Sequence, residues 1–479
     1  MSDIIKNSPK KCSIHEPLFD LWINANTPNL SPKIKANKME GYLKLRWITK
    51  LRWTTKSAMI CLLIGMVVQL SFADVSTPHS AWNFPSTTPE AAGFSGPRLE
   101  RMTLKIDQTL KEKKIPGAVA MIIRDGRVVY EQVFGNQRSD ENKPMAMDSI
   151  FRIYSMTKPI VSVAAMMQWE EGAFQLWHPV HWYLPELKDL NVAMMDKTGD
   201  KILQLVPPIR PITIQDLLRH TAGFTYGIFG VKNAVRKTYL ESGIEQFPFP
   251  GTNQDFLTAI AKLPLLYQPG EKWGYSHATH VLGRLVEVID GKPLGQVLRQ
   301  RILVPLGMDD TDFWVPPEKH ERIVEGKGTI NGALSSWLKV TEPMEFESAG
   351  GGLVSTVPDY ARFCQMMLNG GVLEGERIIS PRTVELMTAD HLGTNIDKGD
   401  LFFPGPGQGF GLGFQVRLSQ GLAGAAGSSG QYSWTGIGGT AFWIDPQQEL
   451  ILIYMMQDMT YRGLLRGIFQ TMAYAAITK

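Results

Sequence analysis

Apolar and polar positions divide this chain into segments of different period. Over residues 95–114, Leu99, Met102, Ile106 and Leu110 recur at helical spacing and mark one face, with Ser95 placed as an N-cap. The runs Ala118–Ile123 and Val128–Phe134 flank Asp125-Gly126, the pattern of a β-hairpin. Ile150–Tyr154 is a short apolar run, and Pro159–Glu171 follows as an apolar helix stopped at Gly172. From about 173 to 345 helical patterns dominate, joined by long Pro-rich connections. Within them Thr213-Ile-Gln-Asp216 reads as a capping box, with Asp for the usual Glu, opening a helix that reaches His220. Val281–Ile289 is another helix, stopped by Asp290-Gly291. After the glycines at 350–352 a helix spans 358–368. Strands return at Gly411–Val416, Thr440–Ile444 and Glu449–Met455, and an apolar helix closes the chain from about 463. Strands at both ends with a helical middle predict an α/β domain interrupted by an all-α region.

Composition narrows the class. With 44% hydrophobic and 20% charged residues among 479, the bulk of the chain is neither disordered nor collagen-like. The formal charge of +3 conceals an asymmetry, because residues 1–56 carry 11 Lys/Arg against 4 Asp/Glu. Residues 74–479 hold 38 basic and 42 acidic side chains, and a slightly acidic body argues against nucleic acid as a partner. Of the cysteines Cys12, Cys61 and Cys364, only the last lies in the body, so no disulfide forms within it and no CxxC pattern exists. Cys364 falls in the apolar-periodic run 360–368 and reads as a buried structural thiol.

Residues 57–73 are uncharged and follow Lys56 directly, ending in Ser71-Phe72-Ala73 before Asp74. A basic flank, an apolar run and small residues fit a secretory signal peptide. The run falls slightly short of the roughly 20 residues of a spanning helix. The expectation is export to the periplasm or secretion, with an uncleaved membrane anchor as the alternative. The 56 residues before it exceed an ordinary basic leader, and Met39 is a plausible true start. LRWITK (45–50) is duplicated at once as LRWTTK (51–56). Its position beside the signal favours targeting over nucleic-acid or membrane-surface binding. Residues 1–38 read as polar and unstructured.

G-x-S-x-G, G-x-x-x-x-G-K, G-x-G-x-x-G and H-E-x-x-H are all missing, which disfavours nucleophile-elbow, nucleotide-binding and zinc-protease readings. Ser-x-x-Lys occurs at Ser8/Lys11, Ser155/Lys158 and Ser336/Lys339, where composition alone predicts one or two. Context separates them. Ser155 lies between an apolar run and an apolar helix, so its Oγ sits at a helix N-terminus that favours developing negative charge. Lys158, one turn on, shares its helix face. Lowering a lysine from its reference pKa of ~10.4 to ~7 costs about 4–5 kcal/mol, which burial or a nearby cation must supply. On spacing alone, an N-cap serine beside a surface lysine remains the simpler alternative.

Ser155-Met-Thr-Lys-Pro159, His220-Thr-Ala-Gly223, Gln268-Pro-Gly270, Tyr275-Ser276, Pro305-Leu-Gly-Met308 and Gly350-Gly-Gly-Leu-Val-Ser-Thr356 stand in one familiar order. From about 83 to 477 the chain resembles the class C β-lactamase-like serine hydrolases (the penicillin-binding-protein fold), and within them the family VIII carboxylesterases. The resemblance implies an α/β fold of the β-lactamase/transpeptidase type. Its antiparallel sheet is flanked by helices, with α/β parts at about 83–160 and 346–479 and a helical insertion at about 161–345. It further implies Ser155 as the acylated nucleophile, Lys158 as its proton-transfer partner and Tyr275 as a co-base, the neighbouring ammonium favouring its phenolate. Trp434-Thr435-Gly436 falls where β-lactamases carry Lys-Thr-Gly, and the N–H of Ile437 with that of Ser155 is expected to form an oxyanion hole.

The departures bear on substrate. Tyr-x-Asn is here Tyr275-Ser276-His277, so the amide that helps place a β-lactam side chain is absent. His277 either donates a hydrogen bond in its stead or packs at the start of a helix. Trp434 replaces a cation suited to the β-lactam carboxylate with an apolar wall suited to an ester. His178, His220 and His280 read as structural. The expected activity is hydrolysis of small carboxylic esters through an acyl-enzyme, with no metal or organic cofactor. A β-lactamase or D,D-peptidase is the alternative, and a membrane-anchored sensor that acylates without turnover is the second.

Overall fold

Asp125 and Gly126 both take positive φ, 52° and 68°, as a two-residue hairpin turn with the twist of its strands requires. The hairpin they close, β1 (Gly117–Arg124) and β2 (Arg127–Gly135), is where the pattern places it. The computed structural model describes residues 84–138, 142–326, 338–399 and 401–479. The readings for the basic extension, the 57–73 segment, Cys12, Cys61, Ser8 and Ser336 lie outside the described residues.

Five C-terminal strands complete the sheet: β3 (Gln408–Phe410), β4 (Gln415–Arg417), β5 (Tyr432–Thr435), β6 (Ala441–Asp445) and β7 (Leu450–Met456). Their order is β2-β1-β7-β6-β5-β4-β3, every neighbouring pair antiparallel. The register Ala118↔Met456 to Arg124↔Leu450 joins the first strand to the last. Both are buried on both faces, which is why they read as continuous apolar runs rather than alternating ones.

Ala118, Ala120 and Ile122 face one core with Leu450, Leu452 and Tyr454. That core is covered by Leu99, Met102, Ile106 and Leu110 of α1 (Gly96–Lys113) and by Leu465, Phe469 and Ala473 of α5 (Arg462–Ala475). Val119, Met121 and Ile123 face the larger core with Ile451, Ile453 and Met455. This core also takes up α2 (Thr157–Glu170), α3 (Ala278–Asp290) and α4 (Val357–Leu368). Burial around most of its circumference explains why α2 is apolar all round. Cys364 is a buried free thiol on α4, as its pattern predicts. The segment ends of this body are tied together: Ser95 N–H donates to the Ala476 carbonyl and Thr478 N–H to that of Gly93, each at 2.8 Å.

Local differences from the pattern have physical causes. Ser95 takes the N-cap position of α1, but its side chain makes no capping bond. Ile150–Tyr154 yields only a two-residue strand, Phe151–Arg152, which pairs with Val354–Ser355 outside the main sheet. The run expected from Gly411 becomes strand only at Gln415, because Gly411 N–H bonds back to the Phe414 carbonyl and Gly413 takes φ 94°. The inserted region carries helices but also a two-stranded ribbon, Val192–Met195 with Ile202–Val206. Met194, Leu203 and Leu205 on it are 50–68% exposed, so no buried face imposed a readable alternation. The Thr213–Asp216 capping box forms in full. Among the described residues no helix is long and apolar enough to cross a membrane.

Candidate active site

Ser155 lies in a single 3-10 turn, Tyr154–Met156, that feeds directly into α2. Tyr154 takes φ 45°, a left-handed conformation uncommon for a bulky residue. Its ring lies over Gly438, where a Cβ would come within 2.5 Å of it. The turn is closed by Met156 N–H on the Ile153 carbonyl (3.0 Å) and by Thr157 N–H on the carbonyls of Tyr154 and Ser155.

Lys158 is no surface cation, being 2% exposed. Its Nζ lies 3.3 Å from Ser155 Oγ and donates to the Gly350 carbonyl at 2.6 Å. The same atom stands 4.6 Å from the ring centroid of Tyr275 and 5.7 Å from that of Tyr226. Among the described residues no carboxylate forms an ion pair with it. Burial lowers its pKa from 10.5 to about 7. The shift that the sequence reading required is therefore supplied by desolvation rather than by a second cation.

Tyr275 donates its phenolic hydrogen to Ser155 Oγ at 2.7 Å. Its ring is wedged between His220 (5.0 Å between centroids) and Trp434 (5.5 Å). Burial pushes its pKa above the ordinary 10, outweighing the Ser155 hydroxyl and the Trp434 indole, which favour phenolate. The expectation of an ammonium-stabilised phenolate is corrected: the phenol keeps its proton at neutral pH because desolvation dominates.

His220 takes φ 59°, its carbonyl accepts from Gly274 N–H at 2.9 Å, and its Nδ1 is 3.4 Å from Ser276 Oγ. It orients the turn carrying Tyr275, in line with a structural role. Burial, with the Lys158 charge behind it, holds its pKa well below 6.5. His277 does not face the substrate side. It stands at the N-cap position of α3, fully buried, with Nε2 3.0 Å from Glu245 Oε1 and Nδ1 3.4 Å from His280 Nδ1. Of the two roles open to it, in substrate binding or as a packed helix start, His277 takes the second, because the Glu245 carboxylate draws the ring inward.

Trp434 and Thr435 end β5, and Trp434 packs between Tyr275 and Phe410. Gly436 follows where a Cβ would lie 2.3 Å from the Ile153 carbonyl oxygen and from Thr440 Oγ1. The absent side chain is what brings the β5–β6 turn against the Ser155 turn. Ile437 and Ser155 consequently line one narrow cavity of about 60 Å³, walled by Tyr226, Phe229, Phe247 and Leu338.

Sequence reasoning missed that apolar wall and the buried chain Glu245–His277–His280–Ser348, which ends with His280 Nε2 3.0 Å from Ser348 Oγ. It also missed the Gly350 carbonyl. The glycine run was visible, but a backbone oxygen leaves no mark in sequence. Gly350 must be glycine because a Cβ there would sit 2.3 Å from His280 Cε1.

The Beta-lactamase family model matches residues 102–473, and the chain belongs to that family, as a serine hydrolase of the β-lactamase fold. It is 37% identical over 355 residues to Protein Rv1367c of Mycobacterium tuberculosis, covering 72% of this chain and 86% of that one. It is 28% identical over 387 residues to Esterase EstB of Burkholderia gladioli, covering 76% and 91%. Among solved structures, EstCE1, described as a hydrolase with promiscuous acyltransferase activity, shares the fold. That match has a TM-score of 0.65 at 24% identity and covers 79% of this chain and 98% of that one.

Proposed function

We propose that the protein is a serine carboxylesterase that cleaves small carboxylic esters through an acyl-enzyme on Ser155. The observation that carries this reading is the position of Ser155 Oγ between the Tyr275 phenol (2.7 Å) and the Lys158 amine (3.3 Å). Burial lowers the pKa of Lys158 to about 7, which brings its unprotonated form within reach at neutral pH. A neutral amine can donate one N–H to the Gly350 carbonyl while its lone pair accepts the Ser155 proton. Tyr275 stays a phenol and serves as a donor.

The freed Ser155 oxygen attacks the ester carbonyl, and the carbonyl electron pair moves onto oxygen facing the N–H groups of Ser155 and Ile437. As the tetrahedral centre collapses, the C–O bond to the alcohol breaks. The departing oxygen takes the proton held by Lys158, relayed through the Tyr275 hydroxyl. Water then repeats the cycle on the acyl-enzyme, releasing the acid and restoring Ser155. Trp434 in place of a cation, the apolar wall of the cavity and its small volume support a short, uncharged acyl group. The likeness to Esterase EstB points the same way.

The test compares p-nitrophenyl butyrate with a chromogenic cephalosporin and a D-Ala-D-Ala peptide, using Ser155→Ala as control. Ester turnover far above the other two, with a product burst and loss in the variant, is expected. Full activity of Ser155→Ala, or faster cephalosporin or peptide cleavage, would overturn the reading.

A further inference from the structure

Arg466 on α5 is half-buried, and among the described residues no carboxylate forms an ion pair with it. Its Nη2 donates to the carbonyl oxygens of Gly436 and of Thr440, the latter at 2.9 Å, while its Nε is buried with no partner. Burial, reinforced by Arg462, lowers its pKa to about 9. Burying the Nε of a guanidinium with neither a hydrogen-bond acceptor nor a carboxylate partner costs free energy. Both carbonyls it holds belong to the β5–β6 turn.

A trans peptide is planar, and its C=O and the following N–H point in opposite directions. The Gly436 carbonyl and the Ile437 N–H belong to one such plane. Gly439 N–H donates to the same carbonyl at 3.1 Å, so that oxygen is held from two sides. With the oxygen turned towards α5, the Ile437 N–H is turned the other way, towards the cavity that Ile437 shares with Ser155. The Tyr154–Ser155 peptide follows the same rule: Thr157 N–H holds its carbonyl along α2 and leaves the Ser155 N–H outward.

We propose that Arg466 is a positioning residue for ester hydrolysis, locking the Gly436–Ile437 peptide so that the Ile437 N–H is presented to the developing oxyanion. The inference rests on the esterase reading above. Without Arg466 the peptide can rotate and present its carbonyl, which repels an oxyanion instead of stabilising it. Because the contact matters most when charge develops, its loss lowers kcat rather than raising KM.

The experiment uses the full chain with Arg466→Met and Arg466→Lys, assayed on p-nitrophenyl butyrate and on its thiono analogue, whose sulfur accepts hydrogen bonds poorly. For Arg466→Met we expect kcat for the oxygen ester to fall about 10²–10³-fold with KM changed little, the loss typical of one oxyanion donor. Thiono-ester turnover should fall far less, so the oxygen-to-sulfur rate ratio contracts at least about tenfold. Arg466→Lys, which keeps one cationic donor, should recover part of kcat and of the ratio, and it decides the matter if Arg466→Met fails to fold. A folded variant with kcat within threefold of the wild type, or an equal loss on both esters, overturns the proposal while leaving Ser155 as nucleophile. Absence of Ser155-dependent turnover in the wild type instead overturns the esterase reading and this inference with it.

Discussion

Replacing Lys158 by Met tests the physical basis of the site, because it should make the protein more stable and inactive at once. Burial lowers the pKa of the Lys158 amine from its ordinary 10.5 to about 7. At ~1.4 kcal/mol per unit, keeping Lys158 charged in the fold costs about 5 kcal/mol near pH 6, where both folded and unfolded states are protonated. Between about pH 7 and 10.5 the unfolded chain binds one proton more than the folded one, so wild-type stability rises with pH there. By pH 9 the remaining cost is ~2 kcal/mol.

Lys158→Met removes this titration and fills much the same space, but leaves the Gly350 carbonyl without its donor, a loss of about 1–3 kcal/mol at any pH. The net expectation is a gain of ~2–4 kcal/mol at pH 6 and almost none at pH 9. The difference between the two values, about 3 kcal/mol, does not depend on the carbonyl term. Urea unfolding of both proteins at both pH values reads it directly. A gain equal at the two pH values, or a variant less stable at pH 6, would show that burial does not hold the lysine down. Such a trade of stability for activity is common at catalytic centres.

For the wild-type enzyme, kcat/KM for an ester should rise with pH to a plateau, half-maximal near about 7, since only unprotonated Lys158 accepts the Ser155 proton. A midpoint above 9 would show that burial does not bring Lys158 to its unprotonated form near neutral pH. Tyr275→Phe keeps the ring between His220 and Trp434 but deletes the 2.7 Å bond to Ser155; turnover should drop about 10²–10⁴-fold with the melting temperature nearly unchanged. Asp216 is fully buried and takes hydrogen bonds from Arg210 (2.6 Å), Arg219 (3.0 Å) and Thr221 (2.7 Å). Burial opposes its ionisation, but Arg210 above all holds its pKa below 3.8. Asp216→Asn should therefore cost about 3–5 kcal/mol in chemical denaturation at pH 7. That difference should shrink only as pH falls below the ordinary aspartate range.

What could be read from sequence follows the range of the forces involved. The hairpin about Asp125-Gly126, the capping box at Thr213 and the apolar α2 are local, each set by a turn residue, a cap or a period within a few positions. Ser155 and Lys158 were legible for the same reason, being one helical turn apart. Tyr275 came from the motif order, since nothing in its neighbours marks it. The Gly350 carbonyl lies 192 positions from the lysine that it binds, and Arg466 lies 30 from Gly436. No periodicity encodes such pairings. His277 stayed undecided between two roles because the carboxylate that settles it, Glu245, stands 32 residues away. The strand β3 escaped notice because three residues make no pattern, and β4 was caught only at the end of the run expected from Gly411.

The pairing of β1 with β7 also governs how the chain must be made. β1 is translated more than 300 residues before its partner, so its inner edge has nothing to bond until the last strand leaves the ribosome. The larger core cannot close earlier, since Ile451, Ile453 and Met455 form one side of it. Folding of this body is therefore completed only after β7 has been made. Throughout elongation the nascent chain exposes a long apolar hairpin that must be kept from self-association. A nonsense codon ahead of β7 would yield a species with an open sheet, destined for degradation or aggregation rather than partial activity.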